Sequence, residues 1–165
     1  MTKAALFLAR TESPIGRIEL TSDGDAITSL SVAKDGALPL DGLPANSNAV
    51  LDEAVRQLGE YFAGDRVDFD LPVHLTGTEF QRKVWAVIAE LPFGEYTSYG
   101  EIGLEVGLGP VGRAVGGAVG ANPVPIIVPC HRVLSSEGRV TGYSAGAGIP
   151  TKLWLLAHEG VTLAA

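Results

Sequence analysis

The sequence predicts an α+β chain of two domains. A small N-terminal domain combines a mixed sheet with one helix, an α/β arrangement, and a mostly helical C-terminal domain contains a helix-turn-helix. Three observations predict it. Short strand-like runs punctuated by turn signals give way to helical spacing of apolar residues from residue 49 onward. Acids crowd the first half: residues 1–75 hold twelve Asp/Glu against six Lys/Arg, and residues 76–165 hold seven against six. Glycines divide the other way, six before residue 76 and fifteen after it, with nine between Gly94 and Gly120. The expected domains are 1–75, an α/β scaffold, and 78–162, joined by a linker over 71–77.

In the first domain, residues 5–10, 17–21 and 26–32 are strand candidates separated by Ser13-Pro14-Ile15-Gly16 and Ser22-Asp23-Gly24-Asp25. Residues 38–48, rich in Pro, Gly and Asn, form a loop. Val50, Leu51, Ala54, Val55, Leu58, Tyr61 and Phe62 then share one face of a helix over 49–63, stopped by Gly64. Residues 68–71 could return as an edge strand. His74 stands apart from other chemistry and reads as a surface or packing residue.

The second domain opens on a capping box, Thr78-Glu79-Phe80-Gln81, in which the Thr hydroxyl and the Gln amide satisfy each other's backbone N–H. Phe80, Val84, Trp85, Ile88 and Leu91 form the apolar stripe that follows, ending at Pro92. A helix starting at Thr97-Ser98 runs to about Val106 and stops at Gly107. Pro110 suits the first turn of the next helix, which runs to about Gly120 before Asn122-Pro123. Two short helices across a tight glycine turn make the helix-turn-helix pattern.

The net charge of −7 taken whole argues against a nucleic-acid partner. By position it does not: no acid lies between Glu105 and Glu137, a window that holds Arg113 and Arg132. One cysteine excludes an internal disulfide and a multi-Cys zinc cluster, and three histidines leave few metal arrangements open; no metal and no cofactor are expected. The Ile126-Ile127-Val128 run is far short of a membrane span. Lys3 with Ala4–Ala9 imitates a signal peptide, but Arg10 cuts the apolar run short. A free thiol then suggests a cytoplasmic home and no membrane partner.

Two segments carry unusual chemistry. Arg113-Ala114-Val115-Gly116-Gly117-Ala118-Val119-Gly120 is almost entirely small, although each interior glycine costs a helix about 1 kcal/mol relative to alanine. Either neighbouring helices pack closely there, or a smooth face approaches a groove with Arg113 as its one long probe. The second segment is Cys130-His131-Arg132, framed by Pro123, Pro125 and Pro129. Prolines resist a helix, so Cys130 is expected on a stiff extended strand, where adjacent cations favour the thiolate. Neighbours on a strand face opposite ways, so His131 would need a water relay to reach Cys130.

Pro129-Cys130-His131-Arg132-Val133 resembles the active-site signature of the O6-alkylguanine-DNA alkyltransferases, the methylated-DNA–protein-cysteine methyltransferases. Phe80-Gln81 with Val84-Trp85, Pro92-Phe93-Gly94, Thr97-Ser98-Tyr99, Arg113-Ala114-Val115-Gly116, Asn122-Pro123 and Trp154 to Gly160 are similar to further family elements, in family order. Ser13-Pro14-Ile15-Gly16 is similar to the family's opening. The likeness is dense over residues 78–160 and thin before them.

The resemblance implies stoichiometric, irreversible transfer of an alkyl group from O6-alkylguanine, with O4-alkylthymine left open, to Cys130. It implies a partner in double-stranded alkylated DNA, bound in the minor groove with the damaged guanine flipped out. The protein would act as a monomer, with cooperativity along the duplex left open. On this pattern Cys130 accepts the alkyl group, His131 acts through a water, and Glu159 orients the imidazole. Tyr99 crowds the flipped nucleotide's phosphate and protonates the leaving guanine, and Asn122 braces the turn before the active-site segment. Arg113 fills the vacated stack, while Ala114, Gly116, Gly117, Thr97, Ser98 and Tyr99 meet DNA. Val128 and Cys130 backbone groups, with Tyr143 and Ser144, surround the base.

The chain departs from the family at two places. Gly120 stands where some relatives carry a second basic residue, and the loop 142–150 is slightly longer with a different glycine pattern. Some relatives bind zinc in the N-terminal domain; here the lone His74 predicts none. His158 reads as a packing residue. The alternatives are a damage-binding protein without transfer, weakened by the presence of Cys130, and a cysteine hydrolase, for which no separate His–Asn/Asp pair is evident.

Overall fold

A computed structural model describes residues 6–109 and 112–163. The expected positions Ala5 and Pro110 lie outside them. The chain divides into two compact units, Met1–Leu75 with Ala145–Ala147 and Thr76–Ser144 with Gly148–Ala165.

In the first unit β1 (Phe7–Thr11), β2 (Ile18–Ser22) and β3 (Ile27–Val32) form an antiparallel meander in the order β1-β2-β3. Ile18, Leu20 and Leu30 share one face of the sheet by register and Leu8 lies on the other; all are buried, as are Ile27 and, on α1 (Ala49–Phe62), Leu51, Leu58 and Tyr61. The Asn48 side chain accepts from the Leu51 N–H, which fixes where α1 begins. The edge strand expected over 68–71 does not form. Gln57, buried on α1, takes both backbone groups of Asp70, donating to its carbonyl (3.1 Å) and accepting its N–H (2.9 Å), so that backbone has none left for a sheet. The chain meets β3 only at a parallel bridge between Ile27 and Val73. His74 is exposed, with Nδ1 3.1 Å from Asp23.

The second unit starts with α2 (Glu79–Ala89), and both halves of the Thr78/Gln81 capping box are present. Ser98 caps α3 (Tyr99–Glu105), and α4 (Gly112–Gly120) follows as the second arm of the helix-turn-helix. Val84, Trp85 and Ile88 of α2, Ile102 of α3 and Val115 of α4 are buried in its core. Thr97–Ser98 (β4) also pairs in parallel with Val133–Leu134 (β5), a two-residue ladder too short for any periodicity to announce. The unit closes with α5 (Ile149–His158), whose cap is Glu159. His158 stacks on Trp154 (ring centroids 4.9 Å apart), in keeping with a packing role. Among the described residues no helix is long and apolar enough to cross a membrane.

Candidate active site

The segment between α4 and Cys130 is held by one side chain. Asn122, itself buried, accepts the Val124 N–H at Oδ1 (3.0 Å) and donates from Nδ2 to the Val128 carbonyl (2.8 Å). The loop so clamped forces buried Ile126 to φ +74°, a left-handed conformation that a β-branched residue rarely adopts. The extended strand expected at Cys130 is not there. Arg132 N–H reaches the Pro129 carbonyl (3.0 Å) and Val133 N–H reaches that of Cys130, winding Cys130–Arg132 into one 3-10 turn. Pro129, lacking an N–H, suits the entry to such a turn as well as it suits a strand.

The turn sends three consecutive side chains to different partners. Cys130, 2 % exposed, lies in the wall of a cavity of about 440 Å³. His131, fully buried, sets Nε2 2.7 Å from Oε2 of Glu159. Its other nitrogen, Nδ1, is buried with no hydrogen-bond partner among the described residues. Arg132 grips Glu159 with two donors, Nε to Oε1 (2.7 Å) and Nη2 to Oε2 (3.0 Å), and gives Nη1 to the Leu91 carbonyl (2.6 Å). The Gly94 N–H adds a longer contact to Oε1 (3.3 Å).

These surroundings set the charges. Burial pushes the Cys130 thiol above its ordinary pKa, opposed by hydrogen bonds from Asn122 and Tyr143 and by the charge of Lys152. The cation that favours the thiolate is therefore Lys152, and not Arg132 as the sequence suggested, because Arg132 is committed to Glu159. Burial likewise holds His131 below the usual imidazole range, against the pull of Glu159. Burial raises the pKa of the Tyr99 phenol, partly offset by the Thr141 hydroxyl, so Tyr99 keeps its proton.

The structure brings Tyr99, Arg113, Gly116, Cys130, Tyr143 and Ser144 together around the cavity. His131, Glu159 and Asn122 stand behind Cys130. Ala114 and Gly117 are exposed on another face of α4. A Cβ at Gly117 or Gly120 would meet nothing within 4 Å, and at Gly112 or Gly116 only an ordinary contact with Tyr99. Close helix packing therefore does not account for these glycines. Thr97 and Ser98 are elsewhere, beside a second hollow with Tyr96, Glu101 and Glu137; Thr97 donates to Glu101 (2.9 Å) and Ser98 caps α3. The Val128 carbonyl already accepts from Asn122 and from the Cys130 N–H (2.8 Å), and Ser144 donates to the Gly120 carbonyl (3.0 Å).

Sequence reasoning missed Lys152, Thr141 and Gly142 as cavity residues. Lys152 is 1 % exposed and donates from Nζ to the carbonyls of Val133 (2.6 Å) and Gly142 (3.2 Å). The signal was present: Thr151, Lys152, Leu155, Leu156 and Glu159 recur at helical spacing, which puts a lysine on the buried stripe of α5. Among the described residues no group of three or more His, Cys, Asp or Glu is placed to hold a metal.

Comparison with known proteins agrees with this geometry. Residues 79–161 match the DNA binding domain of the 6-O-methylguanine DNA methyltransferases, and residues 6–75 match their ribonuclease-like domain. The chain is 44 % identical over 149 residues to a methylated-DNA–protein-cysteine methyltransferase of Mycolicibacterium paratuberculosis, covering 90 % of this chain and 88 % of the relative. It is 40 % identical to its counterpart from Methanosarcina acetivorans, covering 94 % and 99 %. A crystal structure of the Mycobacterium tuberculosis O6-methylguanine methyltransferase superposes with a TM-score of 0.84 at 38 % identity, over 98 % of this chain and 97 % of that one. Mycobacterium tuberculosis OGT in complex with DNA gives 0.81 at 40 % identity, over 93 % and 92 %. A lone thiol in a cavity beside a helix-turn-helix, with its His–Glu–Arg cluster behind it, thus has relatives across nearly the whole chain: it belongs to the 6-O-methylguanine DNA methyltransferase family.

Proposed function

We propose that this protein repairs DNA by moving an alkyl group from O6 of guanine to the sulfur of its own Cys130, once per chain. The observation that carries the reading is the position of the only cysteine, buried in the wall of a cavity that α4 flanks with Arg113 and a row of glycines. An O6 substituent inside a duplex is out of reach of such a thiol, so the base must leave the stack. α4 enters the minor groove, its small residues allow close approach, and Arg113 takes the vacated place. The complex of Mycobacterium tuberculosis OGT with DNA supports DNA as the partner.

The chemistry then balances within the chain. The thiol proton passes through a water to Nδ1 of His131, the acceptor left open by the Nε2 bond to Glu159. The sulfur attacks the alkyl carbon, an S–C bond forms, and the C–O6 bond breaks with its electron pair on guanine. Tyr99, held protonated, supplies a proton to the leaving base, and the proton that His131 took from the thiol returns through water to restore the phenol. The product thioether has no route back, so each chain acts once, as a monomer. Asn122 fixes the turn that presents Cys130, and Tyr143 and Ser144 border the base. Thr97 and Ser98 act from the outside, by setting the start of α3. The N-terminal domain, 1–75, serves as scaffold, and 78–162 carries binding and transfer. A working thiol needs reducing surroundings, which favours the cytoplasm.

The test is intact-protein mass after incubation with duplex DNA containing O6-methylguanine. The expected result is one methyl gained on Cys130 and none on Cys130→Ser, which still binds. Binding with unchanged mass would instead support the damage-binding alternative, and repeated turnover would exclude the single-use reading.

A further inference from the structure

The cluster behind Cys130 holds one more charge than a nucleophile, a base and an orienting carboxylate require. Glu159 is inaccessible to solvent, and an imidazole alone beside it would tend to take a second proton, because a buried carboxylate favours a cation next to it. A doubly protonated His131 could not accept from the thiol. Arg132 supplies that cation instead. It is 5 % exposed, binds Glu159 through two donors, and is itself anchored by the Leu91 carbonyl and by the Phe93 ring 6.0 Å away.

We propose that Arg132 is a positioning residue that keeps His131 neutral and fixes its tautomer by neutralising Glu159. With the carboxylate balanced by guanidinium, the single imidazole proton stays on Nε2, in the 2.7 Å bond to Glu159, and the lone pair stays on Nδ1, the buried nitrogen without a partner among the described residues. The other charged groups facing His131 are consistent with this role. Lys152 and Arg132 both disfavour a cation there, Glu159 alone favours one, and Cys130 stands on the thiol side. The inference rests on the reading of His131 as the base for Cys130.

The experiment is the pH dependence of single-turnover methyl transfer, together with nitrogen NMR of His131 in the free protein. In the unmodified protein NMR should show neutral imidazole with its proton on Nε2 near neutral pH. Arg132→Met should raise the doubly protonated share of His131 near neutral pH and move the rise in transfer rate upward by about one pH unit, a loss of about tenfold on the acid limb that is recovered in alkali. Arg132→Lys, which keeps a cation, should restore most of the profile. The double variant Arg132→Met with Glu159→Gln removes both charges, a replacement that buried ion pairs often tolerate, and should return His131 to the neutral form even if the single variant fails to fold. A rate loss equal at every pH with unchanged His131 signals would overturn the proposal, as would an Nδ1–H tautomer in the unmodified protein. The NMR arm needs no substrate, so it stands apart from the methyl-gain test of the transfer itself.

Discussion

The indole N–H of Trp85 donates to the carbonyl of Ala118 at 2.8 Å, buried, and so ties α2 to α4. Ala118 is within the last turn of α4, and its carbonyl otherwise has only a longer bond from the Ala121 N–H (3.2 Å), with no basic residue of α4 nearby in that turn. Trp85→Phe keeps most of the apolar burial and deletes this bond. It should cost about 1 kcal/mol in urea unfolding. Gly77→Ala attacks the same indole from the other side, since a Cβ there would lie 2.5 Å from the Trp85 ring, and overpacking of this kind costs about 1–3 kcal/mol.

Asn122 serves two backbone groups and also bonds toward the thiol, so its variants should separate. Asn122→Ala leaves the buried Val124 N–H unsatisfied, at about 1–3 kcal/mol, and should lower the melting temperature together with the transfer rate. Asn122→Asp retains an acceptor for Val124 but sets a negative charge beside the thiol. Its transfer rate should recover only at higher pH than that of the unmodified protein, as read in single-turnover assays across pH.

Lys152 is buried, and desolvation lowers its pKa from 10.5 to about 8. Between those values the unfolded chain holds a proton that the folded chain has released. The charge therefore penalises folding fully below about 8, and the penalty fades as pH rises toward 10.5. Lys152→Met should be most stabilising relative to the unmodified protein at neutral pH, with the gap closing in that alkaline window. The same variant should raise the thiol pKa further by removing the cation, measured as thiol reactivity against pH.

Arg113 is exposed on α4 at the cavity, whereas Lys83 and Arg139 face Glu79 and Glu137 at 3.5 and 3.7 Å. Removing one phosphate contact flattens the plot of log affinity against log salt by about 1. Arg113→Ala should do so if it contacts phosphate. If it fills the stack instead, transfer from duplex should fall while transfer from the free base holds. Equal losses on both substrates would refute a role in DNA.

Much of the fold was legible because helix starts are chemical statements. Asn48, Thr78 with Gln81, and Ser98 each carry the side chain that their helix needs at its first turn. The failures share a cause, contacts between residues distant in sequence. Gln57 claimed the Asp70 backbone and removed a strand that local propensity allowed. The ladder between Thr97–Ser98 and Val133–Leu134 joins segments whose sequence shows no sign of each other. At the site, Cys130 and His131 are legible in the proline-framed Cys-His-Arg run itself, while Glu159, Tyr99 and Asn122 are reached only through the family's pattern. Arg132 was named for the wrong partner because Glu159, 27 positions away, outcompetes the adjacent thiol for its charge. Lys152 went unremarked because a lysine is read as a surface residue by default, whatever stripe it interrupts.

The burial of Cys130 bears on how long the protein keeps. A reagent that can be spent only once must survive its wait, and a thiolate open to solvent would be lost to oxidants and stray electrophiles. Cys130 is 2 % exposed, and burial holds its thiol above the ordinary pKa, so it keeps its proton and offers solvent little surface. The shelf life of the unreacted chain is thus set by the same burial that forms the wall of the cavity.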